Sequence, residues 1–362
     1  MKNLIEYLKD KIYYVMGATI VIIILLIIIS SCSGKKVDSY SAIELKMQTA
    51  AENYYESRKD RLPKDEKTSV QVSLGTLIDS ELMKEVVDPE NKNQTCSGYV
   101  QVKKVGKEYV YTPFLTCKGN YEPKFLTDVI KRVKLDEYGN GVYEMNGEYI
   151  YRGDDVKNYV KFNDQLWRII KVDKDGDIKI VSANRSDDTY VWDDAYNSER
   201  DDTVGITTDY IHTDIRKVLV DYYKKSFSKE SKSKIVSKDL CVGRMLLTDQ
   251  FSAERECSVI KSNEKVGLLL PSDYKNACLD SGCVNLDSMG CINQNYLADV
   301  NNINTWLLTS SSENTYKVYN LNSIISESNA SNERRLNYVI YVNSDSIVAS
   351  GNGTQDNPYI IK

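Results

Sequence analysis

Histidine is almost missing from this 362-residue chain, which contains one, His212. A Ser-His-Asp triad or a multi-histidine zinc centre has no raw material beyond that residue. Its position beside Thr213 and Asp214, ahead of a helical pattern, fits helix-start packing. Phenylalanine (5), tryptophan (3) and proline (6) are also scarce, whereas tyrosine reaches 27, so most aromatic surface carries a hydroxyl suited to half-wet positions. No long basic run interleaved with aromatics occurs, and 47 basic against 52 acidic residues leave a formal charge of -5. Neutralising a phosphate backbone is therefore outside its means, and nucleic acid is excluded as a partner. Carboxylates are plentiful, but acid–base pairs are defined by a separation that letters do not give. No catalytic residue and no resident metal is assigned, and the chain is expected to be non-catalytic.

Long apolar runs are missing too, with one exception. Residues 12–31, IYYVMGATIVIIILLIIISS, carry no charge, and about 20 such residues cross a hydrocarbon core as a helix. Lys2, Lys9 and Lys11 precede the run, Lys35 and Lys36 follow it, and seven cysteines lie beyond Cys32, a usage that suits an oxidising exterior. The expectation is a single-pass anchor in the cell membrane with the C-terminal region outside. Ile29-Ser30-Ser31-Cys32 resembles a bacterial lipobox, so the alternative is a lipoprotein acylated at Cys32. Both tether the protein to a membrane at its N-terminal side.

Downstream, the length leaves room for two folded domains. Ile43, Met47, Ala50 and Tyr54 recur at helical spacing to about residue 58, with Ser39 or Ser41 as cap, and Pro63 ends the register. A shorter helix is predicted near 74–83, then a hairpin of 99–102 and 109–111 about Gly106. Cys96 and Cys117 bracket that hairpin at nearly equal distances from its turn, which places a disulfide across its open end. The apolar helix, its amphipathic continuation, SLGTLIDSELMKEVVDP and CSGYV…YVYTPFLTC together resemble Gram-positive pilin-like or type II secretion-like ectodomains. A prepilin-type cleavage start is missing. The resemblance implies a pilin-like α+β domain over 38–122, after a cytoplasmic tip, anchor and linker over 1–37.

The stretch 123–146 reads as a linker with a hairpin, since Asn146-Gly147 is a strong tight-turn pair. Strands at 159–162, 166–172 and 178–181 follow as a meander about Asn163-Asp164 and Asp175-Gly176. A helix is expected over 213–227, then strand pieces at 267–270, 305–308 and 338–342. The segments YIYRG…NYVKFNDQLWRIIKV, GLLLPSDY, NYL, TWLLT and GNGTQDNPYII resemble, in order, an uncharacterised domain of secreted Gram-positive proteins, itself similar to the C-type lectin-like fold. That resemblance implies an α+β lectin-like domain over 147–362 with function in its loops. It also implies Cys241–Cys257 and Cys283–Cys291 bridges. Cys278 is then left over, to be free, to join another chain, or to displace Cys283 as partner of Cys291.

Candidate ligand chemistry is sparse. Asp173, Asp175 and Asp177 imitate the start of a calcium loop without its distant glutamate, and a hairpin turn explains the same letters. Asp187, Asp188, Asp193, Asp194, Asp201 and Asp202 form an oxygen-rich stretch for which weak calcium binding is the one cofactor considered, against a plain solvated loop. Trp167 and Trp306 alternate within apolar strands and read as core. Trp192, between Tyr190 and Tyr196, is the candidate ligand contact for a sugar or peptide, its alternative being packing onto the sheet. The expected function is an anchored extracytoplasmic binding or adhesion protein for a surface glycan or protein ligand. The alternatives are a structural or accessory subunit of a pilin-like or secretion assembly, and a formylglycine-generating-type enzyme using Cys278 and Cys283.

Overall fold

Short polar turns break the chain into many brief strands, and the computed structural model arranges them as an α+β protein over residues 39–194, 210, 213–248, 253–298 and 304–361. The 12–31 run, Cys32, Tyr196, Asp201, Asp202 and His212 lie outside the described residues. Among the described residues no helix is long and apolar enough to cross a membrane. The described residues divide into two compact units: 39–56 with 72–100 and 113–121, and 57–71 with 101–112 and the described residues from 122 to 361.

In the smaller unit, helix α1 (Tyr40–Glu56) starts where the Ser39 hydroxyl accepts from the Ala42 amide at 3.3 Å. Its inward stripe buries Ile43, Met47, Ala50, Ala51 and Tyr54, as the helical spacing predicts. Strand β1 (Ser69–Ser73) runs into α2 (Leu74–Asp79), capped by the Ser73 hydroxyl on the Thr76 amide at 3.0 Å. β2 (Ser97–Val105) and β3 (Glu108–Thr116) pair with it in the order β1-β2-β3, and residues 72–73, 97–100 and 113–116 of these strands belong to the smaller unit. Cys96–Cys117 closes the base of that hairpin.

The larger unit begins earlier than predicted. The stretch read as a linker contains α3 (Leu126–Lys131), whose Leu126 and Ile130 are fully buried in the main core, and β4 (Gly141–Met145), paired with β5 (Glu148–Arg152). Leu126 and Ile130 bury their side chains in that core, and β4 adds to the sheet through β5. β6 (Tyr159–Phe162), β7 (Gln165–Val172) and β8 (Ile178–Ser182) form the expected meander. Asn163 and Asp164 both turn at positive φ (51° and 58°), a twist matched to a two-residue hairpin. After β9 (Tyr190–Val191) come α4 (Asp214–Ser226), α5 (Lys229–Lys234), β10 (Ile235–Val236), β11 (Lys238–Cys241) and β12 (Arg244–Met245). α6 (Ala253–Glu256), β13 (Ile260–Glu264), β14 (Gly267–Leu268) and α7 (Pro271–Ala277) follow. The last strands are β15 (Thr305–Ser311), β16 (Lys317–Asn322), β17 (Ile324–Asn329), β18 (Glu333–Arg334), β19 (Tyr338–Val342), β20 (Val348–Ser350) and β21 (Tyr359–Ile361).

The main sheet runs β10-β19-β8-β7-β6-β21-β20, with β14 on β19 and the β4–β5 hairpin on β7; β12-β15-β16-β17 form a second sheet. β21 lies parallel to β6, so the final NPYII strand sits beside the first strand of the meander. That closure requires glycine at 351: φ is 95°, and a Cβ there would collide with the Pro358 carbonyl.

Several of the sequence segments singled out above brace the core. Asn158 is fully buried and donates to the Ile169 carbonyl at 2.8 Å, while its Oδ1 accepts from Arg168 Nε at 2.9 Å. The Arg168 guanidinium lies between the Tyr159 and Tyr296 rings, 4.4 and 4.6 Å from their centroids, and donates to the Tyr296 carbonyl. Asn295 bonds the Tyr274 and Cys291 carbonyls. Asp273 of GLLLPSDY accepts from the Leu270 amide at the start of α7 and holds the buried Lys179 ammonium with both oxygens, at 2.8 and 2.6 Å. A buried charge left unpaired is costly, so each of these side chains is held by a partner.

Candidate functional site

One concavity lies on the smaller unit. On α1 the positions left facing water include Leu45, 63 % exposed, with Lys46, Thr49 and Asn53. Beside them runs the 82–89 segment, with Leu82 at 37 % and Val87 at 41 % exposure. Between the two lies an open groove of about 1040 Å³. Asp88 fixes its far wall: the buried carboxylate accepts from Tyr40 Oη (2.8 Å), Asn120 Nδ2 (2.8 Å) and the Glu90 amide (2.9 Å). Burial opposes that charge, but the three donors outweigh it and hold the Asp88 carboxyl below the usual range. Tyr40 is half-buried, and that partial burial together with its hydrogen bond to the Asp88 carboxylate pushes it up to about 12. Sequence reasoning missed this groove because it carried the second helix through Leu82 to about residue 83, whereas that helix ends at Asp79, and Val87 belongs to no periodic pattern.

In the larger unit, Asp173, Asp175 and Asp177 do converge, with ligand atoms within 4.8 Å of one another. Their centre holds a cation from the chain itself. Lys238 Nζ lies 2.8, 2.9 and 2.7 Å from the three carboxylates, and 5.5 Å from the centroid of the Tyr341 ring. Although burial works against it, this triple pairing raises the Lys238 pKa well above the ordinary lysine range. Asp173 Oδ1 also accepts from the Asp175 and Asp177 amides, which makes the segment an Asx-type hairpin turn with Gly176 at φ 87°. Lys238 does at this turn what a divalent ion does in a calcium loop. The residues of the second acidic stretch diverge: Asp187, Asp188 and Asp194 are exposed, whereas Asp193 is buried.

The expected ligand face at Trp192 is corrected. Its ring is 1 % exposed and packs edge-on against Trp306, centroids 6.1 Å apart, so it presents no face to solvent. A large apolar ring beside a second tryptophan gains more from burial than from water. Tyr190 is half-buried in β9, and its carbonyl accepts from Trp306 Nε1 at 2.8 Å. Trp167 and Trp306 are core, as read.

All three expected bridges are closed: Cys96–Cys117, Cys241–Cys257 and Cys283–Cys291. Cys278 is free, buried, and wrapped by the 280–293 loop, its Sγ 3.2 Å from the Asn293 carbonyl and 3.4 Å from that of Gly290. Burial raises its thiol pKa, which suppresses the reactive thiolate.

Another charged cluster was illegible in the sequence. Glu256, 2 % exposed, accepts from the Ser272 amide at 2.7 Å and lies beside the Lys179–Asp273 pair. Burial first, and the Asp273 charge with it, lift the Glu256 carboxyl to about 7, with Ser272 and Lys179 pulling the other way. Glu256 is thus a second buried carboxylate beside an ammonium that Asp273 already binds. Compared with known families, curated proteins and solved structures, the chain gives no match.

Proposed function

We propose that this protein is exported, tethered to a membrane at its N-terminal side, and works by binding rather than by catalysis. The observation that carries the reading is the closure of three disulfides, one in the smaller unit and two in the larger, over separations of 21, 16 and 8 residues. Such bridges persist where the surroundings are oxidising. With the uncharged 12–31 run ahead of them, they argue for an extracytoplasmic chain on a single-pass anchor, Cys32 acylation being the alternative tether.

We read the smaller unit as pilin-like and the larger as C-type lectin-like, displayed toward a surface glycan or protein ligand. The helix-then-hairpin order supports the first, and the pairing of β6 with the terminal β21 supports the second. The formylglycine-generating reading needs a reactive cysteine pair. Pairing of Cys283 with Cys291, and the raised pKa of the buried Cys278 thiol, weigh against it. A second reading, an accessory subunit of a secretion-type assembly, is favoured by the exposed apolar groove of the smaller unit.

The test is treatment of intact cells with protease and with a membrane-impermeant maleimide, before and after reduction, followed by mass analysis of the N-terminus. Six cysteines labelled only after reduction, on an externally digestible chain, support the proposal. Thiols that label without reduction, on a chain that resists protease until the cells are lysed, overturn it.

A further inference from the structure

We propose that the groove between α1 and the 82–89 segment is a docking site for an amphipathic peptide segment whose apolar side chains are flanked by carboxylates; this deepens the binding reading above and rests on it. Two features of the groove point to that partner. Its apolar part is set by Ile43, Leu45, Leu82 and Val87, and the last three remain 63, 37 and 41 % exposed, side chains that gain by being covered. At about 1040 Å³ the open groove is at the upper end of the roughly 300–1,000 Å³ typical of small-molecule pockets, room enough for several side chains of a segment laid along it.

Charge selects among possible occupants. The described residues of the smaller unit carry four lysines and eight carboxylates. Three of those lysines, Lys46, Lys84 and Lys92, line this one groove, whereas only Glu85 and Asp88 of the carboxylates do. Asp88 is buried and occupied by Tyr40, Asn120 and the Glu90 amide, so Glu85 is the exposed acid facing three exposed lysines. A compact acidic-flanked segment laid in the groove meets three lysines against the one exposed carboxylate of Glu85. Outside the groove the described residues of this unit expose five carboxylates, Glu52, Glu56, Asp79, Glu81 and Glu90, against one lysine, Lys118, so an extended anionic surface such as a bilayer is opposed by like charge.

The experiment uses the full-length, oxidised chain in detergent. Fluorescence anisotropy follows two 12-residue probe peptides, each with leucines at helical i, i+3, i+4 and i+7 positions, one flanked by glutamates and one by lysines. The glutamate peptide is expected to bind roughly tenfold or more tighter than the lysine peptide at low salt, with the difference shrinking as salt rises. Leu45→Glu and Val87→Glu, both at exposed positions, are expected to remove that binding while leaving the melting temperature and the disulfide map unchanged. Equal binding of both peptides, indifference to the two variants, or no binding at all overturns the proposal. Capture by anionic vesicles that these same variants abolish, without peptide binding, overturns it in favour of a membrane-facing surface. Because the purified chain is used, a cytoplasmic location would sink the export reading without changing the peptide result.

Discussion

Replacing Glu256 by glutamine removes a single negative charge from a site that already holds one carboxylate too many. The side chain is buried, its oxygen accepts from the Ser272 amide at 2.7 Å, and Lys179 is committed to Asp273 through contacts of 2.8 and 2.6 Å. Burial and the Asp273 charge lift the Glu256 carboxyl from an ordinary 4.5 to about 7. Between those values the native protein holds a proton that the unfolded chain has lost. Stability therefore falls as pH rises from about 4.5 through about 7, and levels off above. At about 1.4 kcal/mol per tenfold change in proton affinity, the full penalty at pH 8 approaches about 3 kcal/mol. Glutamine keeps the oxygen that Ser272 needs and carries no charge, so the variant lacks this penalty; its added N–H donors cost about 1 kcal/mol if unmatched. At roughly 2–4 °C per kcal/mol for a unit of this size, Glu256→Gln should melt several degrees higher than the native chain at pH 8. At pH 4.5 it should melt level with the native chain or slightly lower. Thermal unfolding followed by circular dichroism from pH 4.5 to 8.5 measures this directly. Two parallel curves, with no pH at which the native chain loses ground to the variant, would refute the assignment of a protonatable buried carboxyl at this position.

Other perturbations test the same physics elsewhere. Lys179→Met leaves Asp273 buried without its ammonium and should cost about 3–5 kcal/mol in urea unfolding; a loss under 1 kcal/mol would mean the pair is replaceable. Lys238→Met leaves Asp173, Asp175 and Asp177 uncompensated within 4.8 Å, so it should lower the melting temperature and let added calcium restore it. The native chain, its centre filled by Lys238, should show no calcium-induced rise in the same titration. Opening the Cys96–Cys117 bridge by Cys96→Ser with Cys117→Ser should destabilise the smaller unit by roughly 3 kcal/mol, given a loop of 21 residues. Cys278→Ser should leave all three bridges intact by mass mapping, since the thiol contacts only carbonyls.

Local physics was legible in the letters alone. Helical spacing in Ile43, Met47, Ala50 and Tyr54 gave α1, and Asn-Gly and Asn-Asp turns gave the hairpins at 146 and 163, because period and turn chemistry act over a few residues. Cysteines flanking one hairpin gave a disulfide for the same reason. What required the tertiary structure was every feature joining residues distant in sequence. Lys238 reaches the 173–177 turn from another strand, and Glu256 and Lys179 meet at Asp273 from two further elements. Trp192 looked like a ligand contact because its acidic neighbours suggested a wet loop, but the packing of Trp306 against it decided its burial. The groove is likewise formed by a helix and a segment without periodicity, and its lysines gather there only through the folded backbone. Short-range preferences determine which elements form; the low dielectric of the core and the need to satisfy each buried charge decide which of them meet, and those energies do not exist until the chain has folded.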